Sequence, residues 1–339
     1  MKAALESRLI YKEGVKTRKL RTKLNDEDRR EERRILAASV SIRGKVPAVF
    51  TAILLLAPSA FGAESLPIEV IQLPALRVEG KPAAAHTQGL EVIGGKYYVS
   101  ARLDSSRSRR ALLLSAETAG TNWSAWDVSP AGSGAILDHP GGMQSDGKRL
   151  WVPVAVTKPK SQSLIRVFAL DKMLPGQPLK TEFEFSVQDH IGALAVTPAR
   201  GLLFGANWDT ETVYVWDLQG HLKQTLSGDG LAKRGLGLGA AGNTAGGVAA
   251  QDWKVVGDRL FASGLTRPIA LQPRSRWLVF TNFLEAGFQR REVSLPLQHG
   301  TELGREAMAV SGESVYFLPE DLRETNRLFR ARLADLISD

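Results

Sequence analysis

One pattern occurs five times between His86 and Glu320: a polar or small residue, an apolar residue four positions on, a turn, then an apolar strand. The copies read HTQGLEVIGGKYYVSA from His86, HPGGMQSDGKRLWVPVA from His139 and HIGALAVTPARGLLFGA from His190. They continue as AAQDWKVVGDRLFASG from Ala249 and GREAMAVSGESVYFLPE from Gly304. The starts are 53, 51, 59 and 55 residues apart. A period of about 50 residues with several short strands per unit is the mark of propeller blades. The expected fold is therefore all-β: a five-bladed β-propeller.

The second copy shows how one unit is built. Gly142–Gln144 starts an inner strand and Ser145-Asp146-Gly147-Lys148 turns it. Leu150–Val156, Leu164–Leu170 and Thr181–Val187 follow as strands, the last alternating in the manner of a half-buried outer strand. The third copy continues as VYVWDLQG and LKQTLSG. Trp126 and Trp216 are expected to pack between blades. The fifth copy is short, ending after Val315–Leu318 and Arg327–Leu333. Pro67–Val78 is expected to supply its missing outer strand and so close the ring without exposed edges. A sixth blade is the alternative, if 265–300 forms one of its own.

Charge and export signals lie ahead of the repeats. Residues 1–63 carry 14 Lys+Arg against 7 Asp+Glu, so +7 of the formal +8 belongs to them. The rest of the chain is nearly neutral and gives no electrostatic reason to expect nucleic acid. Val46–Ala63 reads VPAVFTAILLLAPSAFGA, with Arg43 and Lys45 before it and Ala60, Gly62 and Ala63 at its end. That order of basic, apolar and small residues is a signal peptide, cleaved after Gly62 or Ala63. An uncleaved anchor is the alternative. Residues 1–39 form a charged leader without an apolar face, and a start at Val40 would leave it untranslated. The expected organisation is leader 1–39, signal peptide 40–63 and propeller 64–339, in a periplasmic or secreted monomer. The chain has no cysteine, which excludes disulfides, thiol catalysis and Cys-bound zinc.

The apolar anchors Leu90, Met143, Leu194, Trp253 and Met308 align the copies. Four residues before them stand His86, His139, His190, Ala249 and Gly304; two before stand Gln88, Gly141, Gly192, Gln251 and Glu306. The innermost strand of a propeller lines the central channel, so these side chains should converge at one mouth. His86, His139 and His190 are candidate ligands of a divalent metal, since three imidazoles with an open position suit zinc chemistry. Glu306 is the candidate general base. Gln88, Gln144, Gln251 and Asp252 are candidate ligand-binding residues. The competing reading has the histidines stitching neighbouring blades through their ring nitrogens. His221 and His299 fall at other repeat positions and are expected at the surface. Gly237-Leu-Gly-Ala-Ala-Gly242 matches a dinucleotide fingerprint in letters only. No strand precedes it and no helix follows, so it reads as a loop that could cover the mouth.

His86-Thr-Gln-Gly-Leu90 resembles the Phe-Thr-Gln-Gly-Leu inner strand of plant-type glutaminyl cyclases, which are five-bladed propellers. The resemblance implies that fold and, in that family, a catalytic Glu on the next strand; Tyr98-Val-Ser-Ala-Arg102 stands there instead. The run from His139 to Trp151 resembles secreted bacterial and fungal propellers of unknown function. A looser likeness to the paraoxonase and gluconolactonase group is one of fold alone.

Three functions follow as expectations. The first is binding of a small ligand or metal at the channel mouth. The second is an enzyme, either a metal-dependent lactonase- or esterase-like hydrolase or one resembling glutaminyl cyclase. The third is a protein-interaction scaffold using the top loops, including the tip Arg107–Arg110.

Overall fold

The computed structural model describes residues 66–337, apart from 105–108, 131–135, 238–246 and 267–273. The charged leader, the Val46–Ala63 run, most of the Gly237–Gly242 loop and part of the Arg107–Arg110 tip lie outside the described residues. Among the described residues no helix is long and apolar enough to cross a membrane.

Five antiparallel sheets form the blades. Blade 1 is Ala85–Ile93, Lys96–Asp104, Arg109–Glu117 and Ser124–Asp127. Blade 2 has a divided inner strand, Leu137–Pro140 and Gln144–Ser145, followed by Arg149–Val156, Ser163–Ala169 and Phe183–Val187. Blade 3 is Ile191–Thr197, Leu202–Asn207, Thr212–Asp217 and Leu222–Ser227. Blade 4 is Val248–Val256, Arg259–Thr266, Arg274–Thr281 and Gln289–Ser294. Blade 5 takes Ala307–Ser311, Ser314–Leu318 and Asn326–Arg332 from the end of the chain and Ile68–Leu73 from its beginning. The stretch 265–300 therefore completes blade 4, and no sixth blade forms.

The closing strand pairs antiparallel with Asn326–Arg332, Ile68 opposite Ala331 and Leu73 opposite Asn326. It is shorter than Pro67–Val78, because Arg77–Val78 leaves the sheet to pair with Lys81–Pro82. Closure covers an edge that would otherwise present unpaired backbone groups.

The core is divided among the gaps between blades. Tyr98, Leu113 and Trp126 of blade 1 pack on Met143, Leu150 and Phe168 of blade 2. Trp151 and Ile165 of blade 2 meet Leu194 and Trp216 of blade 3. The same happens between blades 3 and 4 around Phe204 and Trp253, and between blades 4 and 5 around Trp277, Met308 and Phe329. Blades 5 and 1 meet at Leu328, Leu90 and Leu112. All five anchors used to align the copies are fully buried. Each such side chain contributes roughly 1.5–3 kcal/mol on burial. The first two strands of each blade are packed between neighbours and read as apolar runs, while the outer strands Phe183–Val187, Leu222–Ser227 and Gln289–Ser294 are largely exposed.

Candidate functional site

The inner strands do not pair evenly with their neighbours. In blade 1, Thr87 faces Ala101 and Gly89 faces Ser100, so Gln88 is an extra residue. Gly192 is extra in blade 3 and Gln251 in blade 4. In blade 2 the strand breaks between Pro140 and Gln144, across Gly141. In blade 5, Glu306 stands just ahead of the strand with irregular backbone angles, φ −133 and ψ −116. Every blade is thus interrupted at the repeat position two residues before its anchor. A β-bulge frees one residue from the ladder and re-aims its side chain. Here it turns Gln88 and Gln251 to the channel mouth, and the irregular backbone ahead of the blade 5 strand brings Glu306 beside them. Blades 2 and 3 carry glycine at this position. A Cβ on Gly141 would lie 2.4 Å from the Gly192 carbonyl oxygen, so the backbones at the axis leave no room for one.

The mouth is a cavity of about 310 Å³ lined by His86, Gln88, Arg102, His139, His190, Trp208, Asp209, Gln251 and Glu306 among others. The structure therefore brings together six of the eight candidate site residues, all but Gln144 and Asp252. Ala249 and Gly304 stand where blades 1 to 3 have histidine, and these small residues open the space. The result has two sides. His139, His190 and Trp208 form an aromatic wall: the His139 and Trp208 rings stack 5.8 Å apart, and His190 meets Trp208 edge-on at 4.5 Å. Gln251, Glu306 and Gln88 form the facing polar arc.

The hydrogen bonds fix the imidazole tautomers. Arginine only donates, so His139 Nδ1 accepts from Arg102 at 2.9 Å and its proton sits on Nε2. A carbonyl only accepts, so His190 Nδ1 donates to Val156 O at 2.8 Å and leaves Nε2 as the acceptor. His86 Nδ1 donates to Asp321 Oδ1 at 2.8 Å, and its Nε2 lies 3.9 Å from Glu306 Oε2. The rings of His86 and His139 are 6.4 Å apart, those of His139 and His190 5.1 Å. Among the described residues no group of three ligating side chains is placed to hold a metal ion. His139, with its accepting nitrogen already taken by a guanidinium, would have to change tautomer and lose Arg102 to serve as a ligand.

Burial sets the protonation of the mouth. It pushes the Glu306 carboxyl up to about 7, against the opposing pull of His86 and Arg305. It holds His139 well below the usual imidazole range, with His190 and Arg102 adding to the effect, and lowers His190 as well. His86 is raised because its proton is shared with Asp321, which is lowered in turn.

Gln144 and Asp252 are not at the mouth. Gln144 Oε1 accepts from Val196 N and Val255 N, and its Nε2 donates to Val255 O at 2.6 Å. Asp252 is fully buried and accepts from Leu90 N at 3.2 Å, Met308 N at 3.0 Å and Lys254 Nζ at 2.5 Å. Both join the inner strands of different blades, the stitching role that had been the alternative for the histidines.

Arg102, Trp208, Asp209 and Asp321 belong to the mouth and do not lie in the aligned motif. They come from the far end of the second strand of a blade or the loop after it. His86 sits directly opposite Arg102 across the sheet, whereas His139 faces Ala155, so the cross-strand partner of an aligned histidine marks the mouth in blade 1 and not in blade 2. His221 is exposed and bound to Asp217, at the surface as expected.

Comparison with solved structures finds distant likenesses. The catalytic domain of a Coprinopsis cinerea GH62 α-L-arabinofuranosidase superposes with a TM-score of 0.47 at 8% identity, covering 77% of this chain and 95% of that one. A GH43 endo-arabinanase from Bacillus licheniformis gives 0.44 at 12% identity, over 76% and 96%. A chain of a nidogen/laminin complex gives 0.43 at 12%, over 79% and 99%. At such identities these are likenesses of shape alone. No curated protein matches the chain. A family model does match, over residues 78–269, which span blades 1 to 3 and the start of blade 4. The chain belongs to the family of unknown function DUF6454.

Proposed function

We propose that this propeller is a metal-free binding protein for a small molecule held at its channel mouth, exported to the periplasm or beyond the cell as a monomer. The observation that carries the reading is the convergence at one cavity of Gln88 and Gln251, each bulged out of its strand ladder, with Glu306, which stands just ahead of its strand. Small-molecule sites are concave, largely preformed and fitted with a few convergent polar groups. The tautomers favour the metal-free form, since His139 Nδ1 is committed to Arg102. Export rests on the Val46–Ala63 run.

The test is a ligand screen on the mature protein by thermal shift, followed by the same screen on Gln251→Ala. A compound that raises the melting temperature of the wild type and loses that effect in Gln251→Ala supports the site. Compounds that bind equally to both proteins overturn it. Elemental analysis of protein purified without chelator decides the metal question: stoichiometric zinc that is lost in His139→Ala would reverse the metal-free assignment. N-terminal sequencing of the secreted product reads the export claim, with a start near Ala63 or Glu64 expected.

A further inference from the structure

We infer that the mouth takes a neutral, hydroxyl-rich ligand of about monosaccharide size, gripped between the Trp208–His139 wall and the Gln251–Glu306–Gln88 arc. This rests on the mouth being a ligand site and names what the site selects. Two observations lead to it.

The first is charge. Charged groups at the mouth already have partners on the protein. Arg102 is held by both carboxylate oxygens of Asp104, each at 2.9 Å. Asp321 is shared between His86 and Arg323, the latter at 3.1 Å. Glu306 faces His86 at 3.9 Å and Arg305 at 3.4 Å. Asp209 is likewise engaged. A charged ligand would have to leave water for a site with no uncompensated opposite charge, a loss that the site does not repay.

The second is the order of donors and acceptors. His139 presents Nε2–H and His190 presents a bare Nε2, because their Nδ1 atoms are committed to Arg102 and Val156. Gln88 spends its amide hydrogens on Thr87 O and Glu306 Oε2, which leaves its Oε1 to accept. Gln251, half-buried, has both ends of its amide available among the described residues. Donors and acceptors thus alternate around the cavity. A hydroxyl donates and accepts at once, so several on one small frame match such an array; an amine or a carboxylate matches only half of it. The flat Trp208 ring gives an apolar face for the C–H side of a ring.

Titration of the mature protein with D-glucose, D-galactose, D-ribose and myo-inositol, alongside D-glucuronate and D-glucosamine, tests the claim by calorimetry and by saturation-transfer NMR. At least one neutral compound is expected to bind, at least tenfold tighter than its charged counterparts. Gln251→Ala should weaken it about 3- to 10-fold, as for loss of one or two hydrogen bonds. Gln251 lies outside the strand ladder, so this variant keeps the fold; an unchanged melting temperature checks it. Charged sugars binding as tightly as neutral ones would overturn the inference. So would silence of all the neutral compounds while a compound of another class still binds in a Gln251-dependent way, in which case the mouth remains a site and only its chemistry was misread. Silence of every class would remove the binding reading itself.

Discussion

Replacing Asp252 with alanine should unfold much of what holds the ring together at its axis. The Asp252 carboxylate sits on blade 4 but accepts backbone N–H groups from Leu90 of blade 1 and Met308 of blade 5. It also faces the Lys254 ammonium, which is itself fully buried and further held by the Met143 and Trp253 carbonyls. Alanine leaves three buried N–H groups without that partner, those of Leu90, Met308 and the adjacent Trp253, at about 1–3 kcal/mol each. It also leaves a buried ammonium without its counter-charge, at about 3–5 kcal/mol. Even the low ends add to about 6 kcal/mol, a large share of the 5–15 kcal/mol that stabilises a typical domain. The seven tryptophans make fluorescence-monitored guanidinium unfolding a direct assay. The double variant Asp252→Ala/Lys254→Met is the decisive companion, because it removes the stranded charge while leaving the orphaned amides. It should recover about 3 kcal/mol of the loss. If Asp252→Ala unfolds within about 1 kcal/mol of the wild type, the ring is not tied at this point. If the double variant is no better than the single, the charge accounting is wrong.

Other consequences are open to measurement. Glu91 is buried beside Lys254 and Asp252, and burial pushes its carboxyl from 4.5 up to about 7. A carboxyl raised on folding binds its proton more tightly in the native state, so its contribution is full below pH 4.5 and lost as the pH rises through 7. Glu91→Gln, which cannot ionise, should therefore match the wild type near pH 4.5 and exceed it by about 3 kcal/mol at pH 8; a pH-independent difference in urea unfolding would refute this. Removing the chain up to Leu73 deletes the strand opposite Asn326–Arg332, and should lower the melting temperature and promote aggregation through the bared edge. A shortened protein that melts like the intact one would show that closure is dispensable.

Much of the fold was readable because the repeat is carried by buried anchors. Leu90, Met143, Leu194, Trp253 and Met308 fill equivalent places between blades, and their spacing alone counts the blades. The stretch 265–300 left a sixth blade open because Arg274–Thr281 and Gln289–Ser294, the third and fourth strands of blade 4, lie beyond the repeated motif and carry none of its anchors. In the mouth, the aligned positions found His86, His139, His190, Gln88, Gln251 and Glu306, since repeat-equivalent residues occupy equivalent places on the ring. Gln144 and Asp252, expected beside a ligand, lie instead between inner strands, because a polar residue on an inner strand can face the mouth or the sealed interior. Only the bulge, which shifts the register by one residue, decides which. Arg102 and Trp208 were hidden by a similar cause: they reach the mouth through cross-strand pairing and loop geometry, and neither leaves a periodic trace.

The interrupted inner strands have a further meaning for how such a ring can change. A residue outside the hydrogen-bond ladder can be exchanged without disturbing the pairing on either side of it. The propeller therefore holds a set of slots around one opening, one per blade, whose contents are independent of the scaffold that displays them. Gln88, Gln251 and Glu306 occupy three of these slots and can be rewritten singly. The slot at Gly141 cannot, because the Gly192 carbonyl fills the space that a side chain there would need, whereas a Cβ on Gly192 would meet nothing nearer than Trp208 Cα at 3.9 Å. Selectivity in a ring of this kind is thus editable around most of the opening and locked at the one blade whose backbone closes on its neighbour.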